Sequence, residues 1–315
     1  MRYANGLPQL EGGVFLTDGG IETDLIFNRR FELPEFAAFH LLESAEGREG
    51  LRAYFLDHAR VAVEHGTGFI FESPTWRANP DWGWRLGYDA QGLRAKNREA
   101  VYLMHYLRDQ LEEPQSPMVV SGCVGPRGDG YIPGERMSAA GALRYHAEQI
   151  GALRKAEVDM ITAITMNYVE EAMGVVLAAR SAGLPSVISF TVETDGRLPS
   201  GDTLGEAIAV VDEATAGGPA YYMINCAHPT HFSHVLLAGG DWVERVRGIR
   251  ANASKCSHAE LDEAPELDAG DPAELGREFQ QLTSSLGQIN VLGGCCGTDH
   301  RHIAEIARAC LVVSV

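Results

Sequence analysis

Residues 289–298 read INVLGGCCGT. A short apolar run, Ile289 to Leu292, ends in two glycines, two adjacent cysteines, a third glycine and a threonine. The run has the length and β-branched content of a strand. Adjacent residues on a regular strand point to opposite faces. Cys295 and Cys296 can therefore share one metal only where the chain leaves strand geometry. Gly293, Gly294 and Gly297 permit that departure.

Seven other runs of this kind precede it: Val14 to Thr17, Phe69 to Glu72, Met118 to Ser121, Met160 to Ile164, Val187 to Thr191, Tyr222 to Asn225 and Val246 to Ile249. Between them lie segments with apolar residues at helical spacing, among them Leu51 to His65, Leu143 to Ala156, Val169 to Ala182, Thr203 to Ala216 and Pro272 to Leu286. Asp299 is placed to cap a last helix with the stripe Ile303, Ile306 and Cys310. Eight strand–helix alternations predict a parallel sheet closed into a (β/α)8 TIM barrel. A doubly wound open sheet is the alternative, but no G-x-G-x-x-G follows the first strand. One domain over residues 1–315 accounts for the whole pattern. The gap from Trp76 to Tyr88 reads as an inserted loop, and the acidic stretch Glu260 to Asp271 as a solvated one.

Polar and special residues gather just past the strand ends, which in a barrel form the face that carries active sites. Asp18-Gly19-Gly20 follows the first strand, Glu72-Ser73 ends the second, Gly122 to Gly125 follows the third and Asn225-Cys226 ends the sixth. Cys226 thus supplies a third sulfur to the Cys295–Cys296 pair. Three thiolates and one open position suit a catalytic Zn²⁺. A vicinal disulfide at Cys295–Cys296 is the competing reading. Cys123, Cys256 and Cys310 read as small hydrophobes.

Bulk properties narrow the function. Of 315 residues, 45% are hydrophobic and 22% charged, enough for a full core. The net charge of −17 opposes binding to nucleic acid or to anionic membranes. The N-terminal residues lack the pattern of a secretory signal, and no apolar stretch is long enough to span a bilayer. A cytoplasmic enzyme is the expectation, where clustered cysteines signal metal or catalysis rather than a disulfide framework.

These motifs together resemble the homocysteine S-methyltransferases. GGCCGT at Gly293 to Thr298 carries the resemblance most specifically. LTDGG at Leu16 to Gly20, GPRGDGY at Gly125 to Tyr131, SFTVETDGRLPSGDTL at Ser189 to Leu204 and INC at Ile224 to Cys226 support it. The resemblance implies a (β/α)8 barrel whose zinc is held by Cys226, Cys295 and Cys296. It implies a thiol acceptor of the homocysteine type, whose amino group meets Asp18 and whose carboxylate meets backbone N–H groups after it, at Gly19 and Gly20. Glu72 and Asn225 join the expected substrate residues. A small onium compound such as a betaine or a sulfonium is the expected methyl donor, since 315 residues leave no room for separate folate and cobalamin domains.

The chain departs from the family at one position. The fourth-strand segment, where the family carries a second glutamate for the amino group, has Ile164. Glu72 or Glu193 is a possible substitute. Homocysteine is therefore expected to be a poor acceptor beside a thiol that lacks a free ammonium or presents it elsewhere, and Ile164→Glu is expected to improve its use unless Glu72, Glu193 or another group already fills the role. Glu22 replaces a small residue in the first-strand motif and alters the pocket rim.

Aromatic faces attract onium cations. Trp76, Trp82 and Trp84 either line a donor pocket or pack their loop onto the barrel. His228, His231 and His234 read as a surface helix start after Pro229 rather than a metal site, and His300 and His302 as solvated. The functions in competition with thiol methylation are a zinc hydrolase or lyase on the same fold, and a family member without activity.

Overall fold

The computed structural model describes residues 1–264 and 266–311. In chain order the elements are β1 (Phe15–Thr17), α1 (Ile21–Thr23), α2 (Ala45–His65), β2 (Gly68–Glu72), α3 (Pro80–Arg85), α4 (Ala90–Leu111), β3 (Met118–Val124), α5 (Ala139–Lys155), β4 (Met160–Met166), α6 (Val169–Ser181), β5 (Ser186–Thr191), α7 (Leu204–Thr215), β6 (Pro219–Asn225), α8 (Pro229–Leu237), β7 (Val246–Ala251), α9 (His258–Glu263), α10 (Pro272–Ser285), β8 (Val291–Gly294) and α11 (His300–Cys310). The eight strands are all parallel and close in sequence order, with β1 pairing both β2 and β8.

The strands are buried on both faces, which is why they read as continuous apolar runs. Inside the barrel, Phe15, Ile70, Val119, Met160, Val187, Tyr221, Met223 and Val291 pack into a cluster of their own. Leu7 joins this cluster from the N-terminal segment, and Gln9 donates to Tyr221 Oη at 3.3 Å. The amino-terminal end of the barrel is thereby plugged. Between strands and helices runs the larger core, built on residues such as Phe55, Phe71, Val101, Ile188, Phe232 and Phe279.

Helix starts follow local capping chemistry. Ser44, Asp89, Ser138, Thr203, Asp271 and Asp299 each accept a backbone N–H of the first turn. Asp299 caps as expected. His302 does not stay in solvent; it is fully buried and its Nδ1 accepts the Asp299 backbone N–H at 3.1 Å. His300 is exposed. His228 and His231 also differ from the surface reading. His228 is the buried N-cap of α8 and His231 Nε2 bonds the Lys255 carbonyl at 2.9 Å, whereas His234 is exposed.

The 22-residue α4 is absent from the sequence expectations. Its exposed Tyr102 and Tyr106 interrupt the contrast between apolar and polar faces. The Trp76 to Tyr88 gap is not wholly loop, since α3 occupies its centre. The acidic stretch begins with α9, and Leu261, Glu266, Leu267 and Asp268 line a cavity at the barrel mouth. Pro265 lies outside the described residues. Among the described residues no helix is long and apolar enough to cross a membrane.

Candidate metal centre and substrate pocket

Two strand ends bring the sulfurs together. At the end of β6 the chain turns through Cys226 with φ +52°, a left-handed conformation that only local constraint holds in a non-glycine residue. Cys226 N–H donates to the Arg250 carbonyl at 3.2 Å, and Cys295 N–H to the Ala251 carbonyl at 2.7 Å. Both cysteines are thus fixed to β7. The glycine at 294 is required by close approach: a Cβ there would overlap Thr298 Oγ1, which itself donates to the Cys295 carbonyl at 2.7 Å.

The Sγ atoms of Cys226, Cys295 and Cys296 all lie within 4.8 Å of one another. Cys226 and Cys295 stand as a disulfide pair with Cα atoms 5.4 Å apart, and Cys226 Sγ is 4.0 Å from Cys296 Sγ. A tetrahedral zinc with bonds of about 2.3 Å needs sulfurs roughly 3.8 Å apart. The 4.0 Å between Cys226 and Cys296 and the 4.8 Å bound on the cluster lie near that demand. The donor set fits zinc. Among the described residues this is the sole cluster of three such ligands. Cys123 is buried in the pocket wall and stands apart from the cluster, while Cys256 is exposed rather than packed as a small hydrophobe.

The sulfurs open onto a narrow pocket of about 70 Å³, lined on its polar side by Asp18, Glu22, Glu72 and Arg250. Asp18 is buried. Its Oδ1 lies 2.8 Å from Arg250 Nη2, and its Oδ2 accepts from Tyr54 Oη at 3.0 Å. Arg250 also donates from Nε to the Gly294 carbonyl (3.1 Å) and from Nη2 to the Gly19 carbonyl (3.2 Å). Its Nη1 is buried without a partner. Glu72 Oε2 is likewise buried and unpartnered. Burial pushes the Glu72 carboxyl up to about 7, although the Arg250 charge and hydrogen bonds from Ser121 and Thr162 oppose the rise. Burial raises Glu22, at the rim, to about 7 as well. Ile164 lines the same pocket.

Several expected substrate residues sit differently. Gly19 and Gly20 line the pocket, but the Gly20 N–H is committed to Thr298, at 3.1 Å from its carbonyl and 3.2 Å from its hydroxyl. Asn225 does not face the pocket. It is fully buried behind it, bonded to Thr165 and Ser189. Glu193 stands outside the pocket lining, 3.3 Å from His258 Nδ1. Of the three tryptophans, Trp76 alone lines this pocket. Trp82 is buried against the Arg77 and Arg85 guanidiniums, 3.9 and 4.5 Å from its ring centre, and Trp84 is 78% exposed. The helix α3 turns both away.

A second cavity of about 330 Å³ lies outward of the pocket and shares Thr23, Phe36, Trp76, Tyr131 and Cys296 with it. Tyr131 Oη is 3.8 Å from Cys296 Sγ, and its ring stacks on His258 at 3.9 Å. Asn167 holds the Tyr131 loop by donating to the Asp129 and Gly130 carbonyls at 2.9 and 3.0 Å. Arg250, Tyr131 and His258 were not singled out from sequence. Arg250 carried a signal, since a charged residue directly after an apolar strand run marks a site-facing position.

The chain matches the family model described as Homocysteine S-methyltransferase over residues 15–310. It is 24% identical over 245 residues to methionine synthase of Mycobacterium leprae (strain TN), covering 70% of this chain. Methionine synthase of Mycobacterium tuberculosis (strain ATCC 25618 / H37Rv) is 24% identical over the same length. The matched stretch spans 18% of the first of these relatives and 19% of the second. In structure the chain resembles the metallated form of the homocysteine methyltransferase MmuM from Escherichia coli, with a TM-score of 0.75 at 18% identity over 96% of this chain and 98% of that one. The oxidized form of the same protein gives 0.74 at 20% identity, covering 94% and 95%. At such identities the likeness establishes the fold.

Proposed function

Because the chain belongs to the homocysteine S-methyltransferase family, and is by that membership an S-methyltransferase, we propose that it moves a methyl group from a small onium donor to a thiol of the homocysteine type, with zinc held by Cys226, Cys295 and Cys296. The observation that carries this reading is the convergence of three sulfurs on a pocket lined by carboxylates and one arginine. When bound, zinc supplies a centre on which the acceptor thiol is held as thiolate at neutral pH. The chain acts as one barrel domain, and the cytoplasm is the compartment whose reducing poise keeps the three cysteines as thiolates.

The protein's own residues orient the two reactants. Asp18 accepts the acceptor's ammonium and is itself aimed by Tyr54 and Arg250. Glu72 takes the place of the carboxylate absent at Ile164. Trp76, Phe36 and Tyr131 wall the outer cavity and offer aromatic faces to the donor's positive charge. The acceptor sulfur attacks the donor's methyl carbon in line. A new S–C bond forms, and the old bond breaks with its electron pair passing to the donor heteroatom, which leaves neutral. Charge is cancelled in this step, and a narrow pocket that excludes water favours it. No general base is required.

The test is a methyl-transfer assay on the zinc-loaded protein, pairing homocysteine and related thiols with sulfonium and quaternary ammonium donors. Turnover with at least one pair is expected. A protein that binds zinc yet methylates none of the thiols would overturn the reading.

A further inference from the structure

We propose that Arg250 is a specificity-determining residue, whose guanidinium receives the carboxylate of the thiol acceptor. This rests on the thiol-methylation reading above and names the acceptor class it implies: a thiol that carries a carboxylate together with an ammonium.

The argument starts from β7. An arginine at a buried barrel position is costly unless its charge and all its N–H groups are satisfied. Arg250 is 4% exposed. Nε and Nη2 are satisfied by the Gly294 and Gly19 carbonyls and by Asp18. Nη1 is the nitrogen left over, and the residue borders the pocket. Of the two backbone donors expected to hold the carboxylate, at Gly19 and Gly20, the Gly20 N–H is already engaged with Thr298. A carboxylate on Nη1 makes a charge-assisted hydrogen bond and completes the arginine's set.

Glu72 supplies the complement. Its Oε2 is buried and unpartnered in the same pocket. One leftover donor that is cationic and one leftover acceptor that is acidic, within a single narrow pocket, match a zwitterion. A thiol with an ammonium alone would leave Arg250 Nη1 unsatisfied. A thiol with a carboxylate alone would leave Glu72 so.

Binding to the cobalt(II)-substituted protein separates the possibilities without turnover, because a thiolate ligand changes the metal's absorption spectrum. The probes are homocysteine, 3-aminopropane-1-thiol, which lacks the carboxylate, and 4-mercaptobutyrate, which lacks the ammonium. The wild type is expected to bind homocysteine at least 30-fold more tightly than 3-aminopropane-1-thiol, an effect of about 2 kcal/mol, the worth of a hydrogen bond to a charged group. Arg250→Met should bind the two equally, and Arg250→Lys should recover part of the preference. Equal binding of both thiols by the wild type overturns the role of Arg250. That comparison needs no variant and stands even where Arg250→Met fails to fold. If none of the three thiols perturbs the cobalt spectrum, it is the thiol-site reading itself that fails.

Discussion

Asn225 on β6 holds Thr165 on β4 from two sides. Its Oδ1 accepts the Thr165 backbone N–H at 2.9 Å, and its Nδ2 donates to Thr165 Oγ1 at 2.9 Å. Thr165 needs that hold, because it sits at φ +64°, a region β-branched residues rarely enter. Its conformation falls within β4 where the register with β5 shifts between Ala163 and Met166, next to Ile164, which lines the pocket. Asn225→Ala removes both bonds and a third from Ser189. The variant should lose about 2–4 kcal/mol of stability, read as a lower urea midpoint, and should bind the acceptor less well. A change of stability within about 0.5 kcal/mol would show that Thr165 keeps its conformation unaided.

The purified, reduced protein should bind about one zinc per chain through thiolates. Cys226→Ser, Cys295→Ser and Cys296→Ser should each abolish tight binding, measured by metal analysis after dialysis against a mild chelator. Cys123→Ala and Cys310→Ala should retain it, since neither sulfur belongs to the cluster. Full zinc in a Cys295→Ala, Cys296→Ala double variant would sink the metal assignment.

Glu72 predicts a pH dependence whose sign follows from its burial. The group is raised from 4.5 to about 7 in the fold. Below 4.5 it is protonated whether the chain is folded or not, and it costs nothing. Between 4.5 and 7 the unfolded chain releases the proton while the folded one keeps it, so stability falls as pH rises. Above 7 the loss is complete, on the order of 3 kcal/mol. Metal-free Glu72→Gln should therefore match the wild type near pH 4.5 and exceed it at pH 8. Denaturant titrations at the two pH values check this. A variant no more stable than wild type at pH 8 would mean that the Glu72 carboxylate is already compensated in the folded protein.

Trp76 and Trp84 should behave differently toward the donor. Trp76 lines both the inner pocket and the outer cavity, with Nε1 fixed on the Ile164 carbonyl at 3.3 Å. A cation–π contact is worth about 0.5–2 kcal/mol, so Trp76→Leu should raise the donor KM by roughly 2- to 30-fold with a smaller effect on the acceptor. Trp84→Ala should change neither KM. Equal losses for donor and acceptor in Trp76→Leu would point to a collapsed loop.

Ile164→Glu tests whether the family's missing carboxylate is already replaced. With Glu72 in the same pocket, the substitution should give no gain in kcat/KM for homocysteine, because a third acidic group beside Asp18 and Glu72 adds repulsion and burial cost. Glu72→Gln should lower homocysteine kcat/KM by 10-fold or more, the worth of about 1.5–3 kcal/mol for a hydrogen bond to a charged group. A clear gain in Ile164→Glu would assign the ammonium elsewhere.

The fold was legible because each barrel strand is largely buried on both faces and most of the long helices, α4 excepted, carry a readable apolar stripe. The eight apolar runs each overlap an observed strand, with ends displaced by up to three residues. The sulfurs were legible because glycine and cysteine at strand ends are local signals. Arg250 and Asn225 were not assigned correctly, for opposite reasons. Arg250 lies just past the apolar run that marks β7, and its partners Asp18 and Gly19 are more than 200 residues away. Asn225 directly precedes Cys226 of the sulfur cluster, yet its side chain turns inward to support Thr165. Three aromatic residues in one segment left donor pocket and loop packing both open, and the segment divides between them: Trp76 lines the pocket, Trp82 packs against Arg77 and Arg85, and Trp84 is exposed.

The plug formed by Leu7, Phe15 and their neighbours closes the amino-terminal end of the barrel, and at the other end the sulfur-lined pocket adjoins the cavity walled by Trp76 and Tyr131. On the proposed reading the acceptor occupies the sulfur-lined pocket and the donor the adjoining cavity, so a donor that arrives first stands in the acceptor's way. That arrangement sets an order of events: the thiol is expected to be the leading substrate and its thioether the last product.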